Sequence, residues 1–597
     1  MKKLYLCISA ALCMSGWPAD GHTAYMPSAD NRDTLELPFF DDFSYPGQSP
    51  DAGLWQNSGA SISCTLPLNP PSTGALTLDA LDSLGRFYSN ARYGSITPAD
   101  TIESRPINLQ YPGNKSIYLS YFYQRGGLGD PPETGDSLIL EFYSPTERQW
   151  SRIKAYEGGR CQPFRQEMIQ ISENKYLQKG FRFRFRNYIS LGSQLAPDLV
   201  SNCDHWMIDY VTINRNRTDS DTIYSDVALS AYPEVRIGEY QLVPWRHYTA
   251  ADPKPPVNYM IKYRNNDSKA RLLDSINLYL SHDGKTEKYA LGTYNMPGSM
   301  DFDNENPDLG YTLTSQNDTS AEYNIEVRLV SDALSSDYPA NNSLSINKKL
   351  TNCYAYDDGT PEAAYGLQGE GSSGGLVAVK FRTLKPDILK GIYMYFCPIY
   401  GNRQADNLNL KIWDCENGLP KNAIYTKRNV SVPKDNTGQY ILIPIDEDVE
   451  VADTFFVGWE KNDNAMIAIG FDKNSTAANP KFYNIGGKWK QSKEPGQIML
   501  RPAFGQLMTP AGDIRPGDIA SQLKTITVYP NPASQYIRIK GYQDHGNLYI
   551  ISASGKPVMQ ITEPCGDTEI DISGLARGTY IIYQPDTRAS AKFIKAN

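Results

Sequence analysis

Asp41 and Asp42 stand side by side in "ELPFFDDFSYP", where the first strong β-run of this 597-residue chain begins, and Asp209 lies far downstream in "CDHWMIDYVTIN". Where the first and last strands of a sandwich pair, these three carboxylates come together. A hard cation such as Ca²⁺ is held by roughly six to eight oxygens of this kind. The same residues serve equally as turn caps and buried hydrogen-bond acceptors, and the sequence leaves both readings open. Asp357 and Asp358, in "YAYDDGTPEAAYG", pose the same choice.

Nucleophilic and metallopeptidase chemistry finds less support. Of five histidines, His205, His247, His282 and His545 lie beyond the apolar N-terminus, and no two share the spacing of HExxH. The tetrapeptide Gly135–Leu138 spells GDSL, but it leads straight into the strand-like "LILEF" and no DxxH follows to supply a base. "GEGSSGGL" lacks the GxSxG elbow. Cys203 and His205 are near neighbours where a predicted strand begins, sharing a face, which does not aim a thiolate at a base. No catalytic residue is assigned.

Nine cysteines are present. Cys7 and Cys13 fall in the N-terminal apolar run and Cys565 near the C-terminus, leaving Cys64, Cys161, Cys203, Cys353, Cys397 and Cys415. An even number in an exported chain permits disulfides. Cys161 and Cys203, both in predicted loops of one domain, are expected to pair, with Cys64 as the competing partner. Such a tie contributes about 2–4 kcal/mol. Cys397 and Cys415 end the strand-like "GIYMYFC" and "LNLKIWDC". If those strands form a hairpin, the two thiols stand at opposite ends of it and cannot bond.

The elements that must position these groups are strands. Aromatics make up 11% of the chain, Tyr alone 41 residues, Gly and Pro 46 and 40, with a mean hydropathy of -0.48. No long helical period stands out. In "FRFRFRNYIS" Phe181, Phe183 and Phe185 alternate with Arg182, Arg184 and Arg186, the period of a half-buried strand. The arginine row is read as a solvated sheet face, the alternative being an anion-binding stripe. The expected fold is all-β: a jelly roll at 35–215, an immunoglobulin-like sandwich at 224–350, a second jelly roll at 351–505, a linker at 506–524 and a small sandwich at 525–597. The net charge of -9 argues against a nucleic-acid partner. Residues 1–24 carry Lys2 and Lys3, an apolar run too short to span a bilayer, and small residues after it. That is the form of a secretory signal peptide. No later stretch has the length of a transmembrane segment.

The last sandwich carries the most specific signal. "VYPNPAS", "DISGLARGTYIIY" and a terminal "KFIK" occur in that order over about 525–597. Together they resemble the type A C-terminal sorting domain of the type IX secretion system of Bacteroidetes. The resemblance implies export through the periplasm to the cell surface, with the secretion machinery and its sortase as partners. It places the sorting signal on Pro530, Asn531, Pro532, Gly578, Tyr580, Lys592 and Lys595. "DDF" and "DHWMIDYV" in the first domain resemble MAM- or lectin-like jelly rolls of such cargo, and the second domain is similar to CARDB-type spacers. Asp-Ser/Thr-apolar triplets resemble the O-glycosylation acceptors of the same phylum, at Thr34, Ser83, Thr101, Ser137, Thr222 and Ser275.

The reading is a surface-anchored, non-catalytic binding or adhesion protein, its partner a glycan or a host or matrix protein. It needs no cofactor unless Ca²⁺ binds the carboxylates. The alternatives are a carbohydrate-active or proteolytic enzyme with an unrecognised site and a structural component of the surface layer.

Overall fold

The computed structural model describes residues 5–9, 34–507 apart from internal stretches (the longest 192–202), 513–514, and most of 527–596. The chain divides into two compact units, Met1–Pro516 and Gly517–Asn597. Strands dominate both; the described residues hold one short α-helix, Trp245–Ala250. No helix among them is long and apolar enough to cross a membrane.

Within the first unit, the N-terminal sandwich packs two sheets face to face. One is ordered Gln149–Glu157, Ser137–Ser144, Lys179–Ile189, Thr97–Ser104, Trp55–Gln56. The other is ordered Arg165–Ile171, Ile117–Arg125, Trp206–Asn214, Ala75–Leu78, Ser61–Ser63. The period-two pattern sorts as expected: Phe181, Phe183 and Phe185 are wholly buried between the sheets. The alternating arginines form neither an open solvated face nor an anion stripe. Arg182 pairs with Glu103, Arg184 with Glu141 at 2.5 Å, and their guanidinium planes lie over Tyr143 and Trp150 at 4.0 and 4.1 Å. Acidic and aromatic side chains on the neighbouring strands absorb that row of charge.

The second sandwich sets Val227–Leu229, Val257–Asn265 and Glu234–Ile237 against a sheet built on Arg271–His282, Ala321–Ser331 and Ser343–Leu350. The third sets Ala363–Gln368, Ile469–Asp472, Asp387–Phe396 and Gln439–Val451 against Leu419–Ser431, Asn407–Glu416, Thr454–Lys461 and Leu376–Arg382. These two share one apolar core, in which Tyr240, Trp245, Tyr354, Tyr356 and Phe381 run across the boundary expected at residue 350.

The hairpin expected between Cys397 and Cys415 is not formed. Asp387–Phe396 pairs with Gln439–Val451 and Leu500–Phe504, while Asn407–Glu416 pairs with Leu419–Ser431 and Thr454–Lys461 in the opposite sheet. The two successive strands thus join different sheets. Of the expected leader, Tyr5–Ser9 runs antiparallel to Ala364–Gln368; the remainder of 1–24 lies outside the described residues, as does most of 506–524.

The C-terminal unit is a small sandwich by itself. Thr527–Tyr529, Tyr536–Lys540 and Glu569–Asp571 form one sheet, and Pro557–Ile561, Leu548–Ser552, Gly578–Tyr583 and Ser590–Lys595 the other. Ile537, Ile539, Leu548, Ile550, Ile572, Ile582 and Phe593 fill its core without exposed surface.

Candidate functional site

The first and last strands of the N-terminal sandwich do pair: Phe39–Asp41 runs antiparallel to Trp206–Asn214, with Asp41 opposite Val211. This brings Asp41, Asp42 and Asp209 into one buried neighbourhood. Protein donors occupy their oxygens. Asp41 accepts from Trp55 Nε1 at 2.7 Å, Phe43 N at 2.9 Å and the Tyr45 hydroxyl at 3.2 Å. Asp209 accepts from Tyr210 N at 2.7 Å and Ser72 N at 3.4 Å. Asp42 accepts from Ser44 Oγ at 2.8 Å and from Asn341 Nδ2 at 3.0 Å. Burial raises all three carboxyls above their ordinary range, Asp41 to about 6.

Asn341 belongs to the second sandwich, so this network is a joint between modules. Its Nδ2 also reaches Asp226 at 3.0 Å and the Tyr210 hydroxyl at 3.3 Å. Asn266 donates to Pro71 O and Tyr210 at 2.9 and 3.1 Å, and Phe40 stacks on Tyr338 with ring centroids 3.9 Å apart. Hydrogen-bond acceptance and turn capping, the second of the two readings open in the sequence, describe these aspartates as they stand.

Among the described residues, the group of carboxylates whose oxygens all lie within 4.8 Å of one another is a different one: Glu133, Asp136 and Asp204. Sequence reading missed it. Asp136 was read as the second letter of GDSL and the first of the triplet at Ser137, and nothing local ties it to Asp204. Burial, and then the Glu133 carboxylate, push Asp136 up to about 8. Burial, then the charges of Glu133 and Asp136, push Asp204 well above its ordinary range.

Asp357 has a third kind of neighbour. The Arg501 guanidinium lies on its carboxylate with both side chains buried, and the Tyr440 hydroxyl donates to the same oxygen. Asp358 caps the following turn, receiving Thr360 N at 2.8 Å. The described histidines, His205, His247 and His282, are engaged inside the fold. His205 Nδ1 accepts from Asp130 N at 3.1 Å, and burial holds the ring down to about 4. His247 bridges the Tyr354 hydroxyl at 2.9 Å and Asp387 at 3.0 Å. The Asp387–His247–Tyr354 order resembles an activated nucleophile, but Tyr354 is wholly buried and its hydroxyl takes the Leu384 N–H at 2.8 Å. It ties the helix Trp245–Ala250 to the third sandwich.

The expected Cys161–Cys203 disulfide is not formed, and Cys397 and Cys415 do not bond to each other, as expected. Cys203 is buried against Leu81, while Cys161 is exposed and lies beside Gly126. Among the expected glycan acceptors Thr222 is exposed, in the irregular stretch before the second sandwich. Thr34, Thr101, Ser137 and Ser275 are half-buried and Ser83 lies outside the described residues.

In the C-terminal unit Pro530, Asn531 and Pro532 are exposed and fold back on the last strand. Asn531 Oδ1 accepts from Ile594 N at 2.9 Å, Ala533 N donates to Ile594 O at 2.9 Å, and Ala596 N to Ala533 O at 2.7 Å. Gly578 pairs with Lys595 and Ile581 with Lys592 across the final hairpin. Tyr580 stacks on Phe593 at 5.6 Å and donates to Ala576 O at 2.8 Å. The two ends of the motif set are thus one structural patch.

Residues 527–595 match the secretion system C-terminal sorting domain family. This marks the chain as type IX secretion cargo, exported to the cell surface or the extracellular space. No curated protein matches the chain. Among solved structures it is similar to a GH2 β-galacturonidase from Eisenbergiella tayi bound to glycerol, at 6% identity and a TM-score of 0.20, over 51% of this chain and 45% of that one. The chain therefore spans less than half of that enzyme's length. A BSP domain of a biofilm associated protein is similar at 10% identity and a TM-score of 0.15, over 97% of this chain and 99% of the other.

Proposed function

We propose that this cargo is a surface-anchored, non-catalytic binding or adhesion protein, with a glycan or a host or matrix protein as its ligand. The leader 1–24 is removed on export. The first sandwich acts as a MAM- or lectin-like jelly roll, the second as a CARDB-like spacer and the third as a second jelly roll. The observation that carries the reading is the division of labour between the two units. A separate sorting domain follows a large body of sandwiches whose modules are joined by buried polar and aromatic contacts, Asp42 to Asn341 among them. Such joints hold modules in fixed relation, which suits presentation of a binding surface outside the cell. The histidines that would serve as bases are committed to structural hydrogen bonds, which weighs against the enzymatic alternative.

The test has two arms. Deleting 517–597 should leave the remaining unit folded but stop its arrival at the cell surface; normal surface display of the deletion would sink the sorting role. Residues 25–516 are then screened on glycan arrays and immobilised host and matrix proteins. Saturable binding to one class supports the proposal. Turnover of a glycan or peptide substrate would replace it with the enzymatic reading, and loss of surface-layer order on deleting the gene, with no binder found, with the structural one.

A further inference from the structure

Three carboxylates meet in the first sandwich on a scaffold that leaves them little freedom. Asp136 N donates to Glu133 O at 2.9 Å and Glu133 N to Asp136 Oδ2 at 2.8 Å, closing the turn before the strand Ser137–Ser144. Gly158 N donates to Asp136 O at 2.8 Å and Gly159 N to Pro132 O at 2.7 Å, which pins the turn to the end of Gln149–Glu157. The approach is so close that a Cβ on Gly158 would lie 1.8 Å from Glu133 O. Asp204 arrives from a third segment with φ +53°, immediately before the strand Trp206–Asn214.

The second observation concerns Asp204 alone. It has no exposed surface, and no N–H or hydroxyl of the described residues donates to either of its oxygens. An ionised carboxylate in that position, facing two more, is strongly disfavoured unless a cation or a proton neutralises it. Among the described residues no side-chain cation pairs with Asp204 in the manner of Arg501 at Asp357. The donors are all oxygens, the set that suits a hard divalent ion over zinc or copper.

We infer that Glu133, Asp136 and Asp204 form a binding site for a hard divalent cation of the Ca²⁺ type. One oxygen comes from each carboxylate and the rest of the shell from backbone carbonyls and water. The ion ties the Pro132–Gly135 turn to the segment entering the last strand of the sandwich. Export places the site where Ca²⁺ is abundant, and dissociation constants of about 10⁻⁴–10⁻³ M are usual for extracellular modules.

The exported, mature chain is stripped with EDTA, and Ca²⁺ is titrated in by calorimetry, with thermal unfolding followed in parallel. The expected result is one ion per chain and a higher unfolding temperature at 5 mM Ca²⁺ (roughly five or more times that dissociation constant). Asp204→Asn and Glu133→Gln should each weaken binding by about tenfold or more, and Asp42→Asn should leave it unchanged. Absence of stoichiometric binding by the parent chain overturns the site, and so does unaltered affinity in both cluster variants. Equal loss in Asp42→Asn overturns it too, by moving the ion to the module joint. If Asp204→Asn does not fold, the half-buried Glu133→Gln decides alone.

Discussion

Around Asp42 the groups that reach the carboxylate oxygens are donors: the Ser44 hydroxyl, the Ser44 N–H and the Asn341 amide. Around Asp204 the closest ionisable neighbours are Glu133 and Asp136. Both aspartates are buried in the same sandwich, and burial raises the pKa of both. The difference lies in what satisfies the charge. At Asp42 the answer is built into the fold and spent on joining modules. At Asp204 it must come from outside, as a proton or a cation. A buried acid is therefore diagnosed by the groups that face it, and the residue type alone says little. Asp357 extends the comparison, since a fixed guanidinium from Arg501 meets it.

The largest effect should come from breaking that fixed pair. Arg501→Leu strands the Asp357 carboxylate in the core of the third sandwich, and removing one partner of a buried pair typically costs about 3–5 kcal/mol. Urea unfolding of residues 25–516 should show this loss equally with and without Ca²⁺. A loss under about 1 kcal/mol would mean that Tyr440 and water satisfy Asp357 without the guanidinium.

Next comes the module joint. Asp42→Ala removes the acceptor of the Ser44 hydroxyl and one of the acceptors of the Asn341 amide, at a cost of about 2–3 kcal/mol. The loss should again be independent of Ca²⁺. If Asp42→Ala abolished a Ca²⁺-induced rise in unfolding temperature, the joint would be the metal site and the comparison would collapse.

How much of this was legible follows the same line. The alternation of Phe181, Phe183 and Phe185 announced a strand and its buried face, because a period of two is local information. The meeting of Asp41 with Asp209 was legible from the habit of first and last strands to pair. What then filled their oxygens was not: Trp55, Asn341 and Tyr210 carry no local mark that they will converge on Asp41, Asp42 and Asp209 respectively. The same limit explains the Cys397–Cys415 hairpin. Alternation specifies that two segments are strands and leaves open which sheet each one joins. Asp136 was read within GDSL and set aside as a poor hydrolase motif, a judgement that had no means of seeing Asp204. In the sorting domain the order of motifs was enough to recognise the unit. That Asn531 Oδ1 caps the final strand at Ile594 became visible only in the fold.

A pH profile sharpens the contrast. Asp136 has a folded-state value of about 8 against an ordinary 3.8. Below about 4 the folded and unfolded chains both carry its proton; between there and about 8 only the folded chain does. Metal-free stability should therefore fall as pH rises through that window, since the native state binds the extra proton. Saturating Ca²⁺ should flatten the upper part of the profile by substituting for the proton. Asp41, at about 6, contributes a decline confined to lower pH and indifferent to Ca²⁺. Identical profiles with and without the ion would indicate that the acidic cluster is satisfied by protons alone.

The smallest change in stability, and the most discriminating, is expected from Asp204→Asn in EDTA at pH 8. The substitution keeps the side chain's size, removes one of three facing acids and supplies an amide that can donate to Glu133 or Asp136. The repulsion relieved and the altered hydrogen bonding nearly offset each other, so the unfolding free energy should move by less than about 1 kcal/mol, and toward greater stability. Asp42→Asn makes the same chemical change in the joint, where the new amide can be turned toward the Asn341 amide, donor against donor; it should destabilise by about 1–3 kcal/mol. Opposite signs for one substitution at two buried aspartates follow only if donors face Asp42 and acids face Asp204. Destabilisation of equal size at both positions would show that Asp204 has a donor of its own, and would remove the reason for an external cation.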